Sequence, residues 1–388
     1  MPRQGSSSGL SDRHLALVAV LAGIMWSIGA IDLSAPSVER MGLLLVGIGL
    51  VVTGALGRGI GLGAGLYAVA VGGVERLQRD LLEQGSDVLR ATAEAIDVLM
   101  SGGNPYDHVM LSTEPIGSPF VYPPGEFLFY LLPYRGGMEI GRVETWAGIL
   151  TIAALVVAGA RVGSGRAALV AMLYATWGIA AFRTTDGGND VAAALLVTVG
   201  FVALAFASLP HPRGRIAFIV SAVALGWALA FKQFAVLVWP LVLRHLATVR
   251  APWQRYLAIS GGVAAAMTLP FLLWSPGAFL SQQLAALTFH DQIWGANLLH
   301  ALAQWWPMEG VAGAFFALEL LGTAALVALA LRARVATIGA AALIGAAILV
   351  VPMLLARWTT QSYLVYAATV AAAGILLIDA PAEVTPDA

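Results

Sequence analysis

Most of the residues that could do chemistry fall in one stretch, Gly85 to Tyr134, which reads GSDVLRATAEAIDVLMSGGNPYDHVMLSTEPIGSPFVYPPGEFLFYLLPY. Asp87 heads a helix-like run in which Val88, Ala91, Ala95, Ile96, Leu99 and Met100 share one face, with Arg90, Glu94 and Asp97 on the other. A carboxylate in that place can act as a general base, taking the proton of an acceptor hydroxyl while a leaving group departs. It can equally be a helix N-cap, which Ser86 or Asp87 would fill well. Asp80 and Glu83 are nearby competitors for the base. Further along come a Gly102-Gly103-Asn104-Pro105-Tyr106 turn and a Tyr122-Pro123-Pro124 step that opens a short aromatic segment.

Lys232 is the one lysine of the chain and stands before Gln233 at the end of Gly226-Trp227-Ala228-Leu229-Ala230-Phe231. A phosphate leaving group held at a membrane surface needs a fixed positive charge, and an ammonium supplies one as a point donor. The bland alternative is a lysine that snorkels from a span end to the interface. Arg357, at the head of Arg357-Trp358-Thr359-Thr360-Gln361-Ser362-Tyr363, could clamp a phosphate or a sugar, or anchor an aromatic belt with Trp358 and Tyr363. His290, in Phe289-His290-Asp291, could move a proton or bind phosphate, whereas His300 could be a plain interfacial residue. Asp186 and Asp190, in Thr185-Asp186-Gly187-Gly188-Asn189-Asp190, match no metal-loop spacing and read as a turn followed by an N-cap. The chain holds no Asp-x-Asp and no cysteine, so metal-free chemistry without a cofactor is expected. Without a Gly-x-Gly-x-x-Gly turn in a βαβ setting, a nucleotide-sugar donor on a Rossmann domain is not expected, and nothing points to nucleic acid.

The elements that must position these groups are transmembrane helices. The 388 residues are 59% hydrophobic and 11% charged, with a mean hydropathy of +0.82, against a charged share of ~25% in soluble domains. Short alternating strands, the mark of a membrane barrel, are absent. Apolar runs near 14–30, 41–57, 60–74, 145–161, 166–183, 190–209, 214–231, 235–249, 255–274, 310–331, 336–356 and 361–378 predict an all-α polytopic membrane protein with about twelve spans. Residues 41–74 read as a tight hairpin turned at Gly57-Arg58-Gly59, with one broken helix as the alternative. The segment 122–134 is too short to span and reads as a juxtamembrane helix.

Arginine placement orients the chain. Arg3, Arg13, Arg58, Arg161, Arg166, Arg213, Arg215, Arg244, Arg250, Arg255, Arg332 and Arg334 all fall on one predicted side, which the positive-inside rule makes cytoplasmic. Arg76, Arg79, Arg90, Arg135 and Arg142 are exceptions within the one long outer loop, and Arg40 and Arg183 go against that assignment. Residues 1–388 then form a single transmembrane domain, with an extracytoplasmic catalytic loop at 75–144 and a second extracytoplasmic loop at 275–309.

An acid after the first outward crossings, followed by Gly-Gly-Asn-Pro-Tyr and by a Tyr-Pro-Pro step, resembles the GT-C superfamily of membrane glycosyltransferases. Within it the chain looks most like the polyprenol-phosphate-mannose-dependent mannosyltransferases. The resemblance runs over roughly residues 80–365, and the hairpin before the acidic loop departs from the commoner plan of one span and then the loop. It implies an inverting transfer of a hexose, mannose first, from a polyprenyl-phosphate carrier to a lipid, glycan or protein acceptor at the outer face, amid membrane lipids. It also implies Asp87 as the base, Lys232, Arg357 and His290 as phosphate partners, and Asn104, Tyr106, Tyr122 and Gln233 as substrate-binding residues. The alternative is a twelve-span secondary transporter or lipid flippase, which would carry ionisable groups near the bilayer midplane. Glu319 is almost the only such residue.

Overall fold

A computed structural model describes residues 11–29, 37–56, 59–82, 85–210, 212–288, 293–307, 311–356 and 358–380. Three helices come first: α1 (Asp12–Gly29), α2 (Val38–Ala55) and α3 (Gly61–Leu77). Residues 41–74 therefore hold parts of two helices, not one broken helix. Their contact is close because Gly23 and Gly47 both face Tyr67, where an added Cβ would come within 2.6 and 2.7 Å of that side chain.

Two short helices follow, α4 (Val88–Met100) and α5 (Gly125–Arg135), with a 3-10 turn at Pro105–Asp107 between them. Pro124 sits at the N-cap of α5, as the Pro-Pro step predicts. The chain then runs through α6 (Ile140–Val162), α7 (Ser164–Ala175), α8 (Gly178–Phe182), α9 (Asp190–Phe206), α10 (Arg213–Phe231), α11 (Ala235–Thr248) and α12 (Trp253–Trp274). Next come α13 (Pro276–Thr288), α14 (Leu298–Ala303), α15 (Ala312–Arg332), α16 (Ile338–Leu355) and α17 (Gln361–Leu377). The only strands among the described residues are a two-residue parallel pair in which Trp294 and Gly295 meet Trp358 and Thr359.

By length and composition, six of these helices can cross a bilayer: α2, α6, α10, α12, α15 and α16. Shorter apolar helices α9, α11 and α17 pack among them. This is a multi-pass membrane protein. The run at 166–183, expected as one span, is two helices, because the backbone turns extended at Trp177. Arg76, buried at the end of α3, donates to the carbonyls of Tyr174 and Ala175 at 3.2 and 3.1 Å and so satisfies acceptors that the break exposes.

Polar contacts fix the two ends of the bundle. At one, the Asp12 carboxylate accepts from the backbone of Gly165 and Arg166, Arg166 pairs with Asp379 at 2.6 Å, and Arg244 donates to the carbonyl of Ala333. The other carries α4, α5, α13 and the turn 183–189. Helix α9 lies centrally, with α6, α10 and α17 against it, and its first residue opens into that second end.

Candidate active site at one end of the bundle

The polar face of α4 holds a loop. Asp87, Arg90 and Glu94 are spaced three and four residues apart and so form one stripe. Asp87 stands at the N-cap position of α4, but its side chain caps nothing. Its Oδ2 instead accepts from the backbone N–H of Glu114 at 2.7 Å. Arg90 pairs with the Glu114 carboxylate at 2.6 Å. Glu94 accepts from the backbone of Leu111 and Ser112 and from Ser112 Oγ, and lies 2.7 Å from His108 Nε2. Burial alone would raise the Glu94 carboxyl, but the bonds from Ser112, Leu111 and His108 overcome it and hold the group down at about 2. The segment 108–114 is thereby folded onto the helix that begins beside Asp87.

Lys232 is the C-cap of α10, where the backbone turns extended and frees the side chain to reach sideways. Its ammonium is 2.8 Å from Asn189 Oδ1 and 2.5 Å from Asp190 Oδ1. The rings of Tyr363, Tyr122 and Phe234 surround it at 5.0, 5.5 and 5.6 Å from their centroids. Lysine and aspartate are both buried, so the pair is a desolvated one. Of the turn-and-cap reading of Asp186 and Asp190, the turn stands, with Asp186 Oδ1 accepting from the Gly188 amide at 3.1 Å, and the cap is corrected. Asp186 pairs with Arg183 at 2.5 Å, Asp190 is committed to Lys232, and neither caps α9. The cap comes from α6: Glu144 accepts from the backbone N–H groups of Val191 and Ala192 and from the Tyr130 hydroxyl.

A third acid completes the cluster. Glu126, in the first turn of α5, accepts through Oε1 from Thr92 of α4 at 2.6 Å and from Asn189 at 3.2 Å. Its Oε2 is buried with no partner. Burial pushes this carboxyl up to about 7, against the opposing pull of Thr92, Asn189 and Lys232. Four elements distant in sequence, α4, α5, α9 and α10, are thus joined by Thr92, Glu126, Asn189, Asp190 and Lys232.

Tyr122 borders the lysine, its ring centroid 5.5 Å from the ammonium. Burial, then the charges of Tyr363, Asp190, Glu126 and Asp87, push its hydroxyl well above the usual tyrosine value. Its backbone carbonyl accepts from the Tyr106 hydroxyl at 2.8 Å and from Gln283 Nε2 at 3.2 Å. Gln233 donates to the neighbouring carbonyl of Val121 at 2.7 Å. Tyr106 is itself fully buried, its ring against Phe120, Phe127, Phe271 and Phe279, and Asn104 caps the turn before it through a bond to the Tyr106 amide.

Of the sequence-predicted site residues, Asp87, Lys232, Tyr122 and Gln233 are brought to one end of the bundle, with Asn104 and Tyr106 in the wall behind Tyr122. Arg357 and His290 lie outside the described residues. His300 is tied locally, its amide bonded to Asn297, the N-cap of α14. Sequence reasoning missed Glu126, Asn189, Glu144 and the pairing of Asp190. The signal for Glu126 was a lone acid at the start of an aromatic apolar segment.

The bundle thus carries short helices ahead of α6 and gathers its polar groups at one end. No family model and no curated protein matches the sequence. Among solved structures, the chain is similar to ArnT from Cupriavidus metallidurans in the apo state, with a TM-score of 0.50 and 19% identity over 80% of this chain and 58% of that one. It is also similar to ArnT bound to undecaprenyl phosphate, with a TM-score of 0.49 and 18% identity over the same shares. The chain thus spans less than two thirds of the length of ArnT, and the likeness is one of fold.

Proposed function

We propose that this protein is a membrane glycosyltransferase that moves a hexose, mannose first, from a polyprenyl-phosphate carrier to an acceptor hydroxyl at the extracytoplasmic face. The observation that carries the reading is that the Lys232 ammonium lies 5.5 Å from the Tyr122 ring at the same end of the bundle as the Asp87 carboxylate, whose charge also reaches the Tyr122 hydroxyl. A base and a phosphate partner are the two groups an inverting transfer from a phosphate-linked sugar needs, since phosphate leaves without an acid partner. Asp87 takes the acceptor proton, the acceptor oxygen forms the new bond to the anomeric carbon, and the bond to the carrier phosphate breaks toward Lys232. The bond from Glu114 leaves the second oxygen of Asp87 for the acceptor. Tyr122 and Tyr363 flank the phosphate position, while Asn104 and Tyr106 act through the wall they hold. Arg357 and His290 stay assigned as supporting phosphate ligands on the sequence resemblance.

In this reading α1, α2, α3, α6, α7 with α8, α9, α10, α11, α12, α15, α16 and α17 make twelve crossings, and the loops 75–144 and 275–309 lie outside. ArnT, which shares the fold, has been crystallised with a carrier of the class proposed here. Against a transporter or flippase stands the gathering of Glu126, Asp190 and Lys232 with Asp87 at one end.

The test is transfer of labelled sugar from a panel of polyprenyl-phosphate donors by purified protein in lipid. Wild type should transfer, and Asp87→Asn should lose ~100-fold or more, as expected on removing a general base, with donor binding retained. Transfer that survives Asp87→Asn moves the base elsewhere, and uptake of a solute by liposomes with no transfer from any donor refutes the reading.

A further inference from the structure

A cleft opens on α6, α9 and α10 at the end of the bundle away from Asp87 and Lys232. It holds about 430 Å³ and is lined by Val157 of α6, Val199 and Phe206 of α9, and Ile216 and Val220 of α10 among other apolar side chains, with Arg213 the one charged group. That volume falls within the range of about 300–1,000 Å³ usual for small-molecule sites. Val157, Ile216 and Val220 are all partly open outward, so the cleft faces the surrounding lipid and not the core. From Arg213 to Val220 the groove runs along α10 for roughly 10 Å at 1.5 Å per residue.

The charges around it are unbalanced. Arg161 donates to the Ala205 carbonyl and to Ser208 Oγ. The acids at this end are engaged as well, Asp12 by the backbone of Gly165 and Asp379 by Arg166. Arg213 is exposed, and among the described residues it has neither a hydrogen bond nor an ion pair; Arg215 is exposed beside it.

We propose that this cleft seats one anionic phospholipid of the leaflet at that end, its acyl chain between α9 and α10 and its phosphate on Arg213. Basic pockets between helices on the arginine-rich side of a membrane protein select anionic headgroups in this way. A zwitterionic lipid would bring an ammonium to a rim that offers no unpaired carboxylate. The site is separate from Lys232 and does not depend on the reaction proposed above.

The test uses the purified full chain and native mass spectrometry, with phosphatidylglycerol and phosphatidylcholine supplied in equal amounts. Wild type should retain phosphatidylglycerol in preference, and Arg213→Gln should reduce that retention roughly fivefold, the loss of one basic contact near the surface. Ala217→Phe, which fills the cleft with Arg213 intact, should remove the bound lipid by a different route. Equal retention of the two lipids by wild type would overturn the proposal, as would wild-type retention of phosphatidylglycerol by both variants.

Discussion

Lys232 carries its charge in a setting built before any ligand arrives, with Asp190 and Asn189 on its ammonium and three rings around it. Removing one member of a buried pair strands the other, so Lys232→Met should cost about 3–5 kcal/mol of stability. Adding Asp190→Leu should restore most of that, because two apolar groups replace two charges. Neither variant should transfer sugar. Thermal unfolding in detergent reads the first effect and the transfer assay the second; full activity in the double variant would remove Lys232 from the site. The lysine itself was legible in the sequence, as a lone cation ending an apolar span. Its partners were not, because Asp190 and Asn189 lie more than forty residues away in a motif that reads locally as a turn. Asp87 was legible by its place before an amphipathic helix, whereas its bond to Glu114 depends on how the loop folds back.

At the scale of the helix, the contact between α5 and α10 decides whether Glu126 reaches Asn189. Gly125 permits that contact: a Cβ there would lie 2.6 Å from the Ala230 carbonyl oxygen, and the Gly125 carbonyl accepts from Trp227 Nε1 at 2.8 Å. Gly125→Ala should push α5 off α10 and lower stability by about 1–3 kcal/mol, the range for overpacking, with transfer lost in the same variant. Unchanged unfolding and transfer would show that the helices are free to part. Glu126 gives this junction a pH dependence. Its folded value of about 7 lies above its ordinary 4.5, so the folded state holds the proton more tightly. That contribution is fully present below pH 4.5 and is lost as pH rises through 7. Unfolding temperatures measured across this window should fall with pH in wild type, and Glu126→Gln should flatten the fall. An identical slope in both would place the titration elsewhere. The sequence predicted α5 but not this role, since a carboxylate in a short apolar helix shows its burial only once the neighbouring helices are in place.

For the whole molecule, the arrangement of charge makes the orientation testable. The apolar runs located nearly all the long helices, because a bilayer imposes length and hydropathy on each span separately. They did not foresee the break between α7 and α8, which is compensated by Arg76 from α3 and so depends on a tertiary contact. Arg13, Arg161, Arg166, Arg213, Arg215 and Arg244 mark one end, while Asp87, Glu94, Glu126 and Asp190 gather at the other, together with Arg79, Arg90, Arg142 and Arg183; the positive-inside rule predicts that the first end is cytoplasmic. The chain has no cysteine, so single cysteines report position without background. Ile116→Cys, at a side chain 73% exposed beside the α4 loop, should react with a membrane-impermeant maleimide on intact cells. Arg334→Cys, exposed in the turn between α15 and α16, should react only after permeabilisation. The reverse pattern would put Asp87 on the cytoplasmic side, where a base at that end would face a different pool of acceptors. Labelling of both in intact cells would mean that the crossings from α6 to α15 do not put the two residues on opposite faces, and the twelve-crossing topology would fall with it.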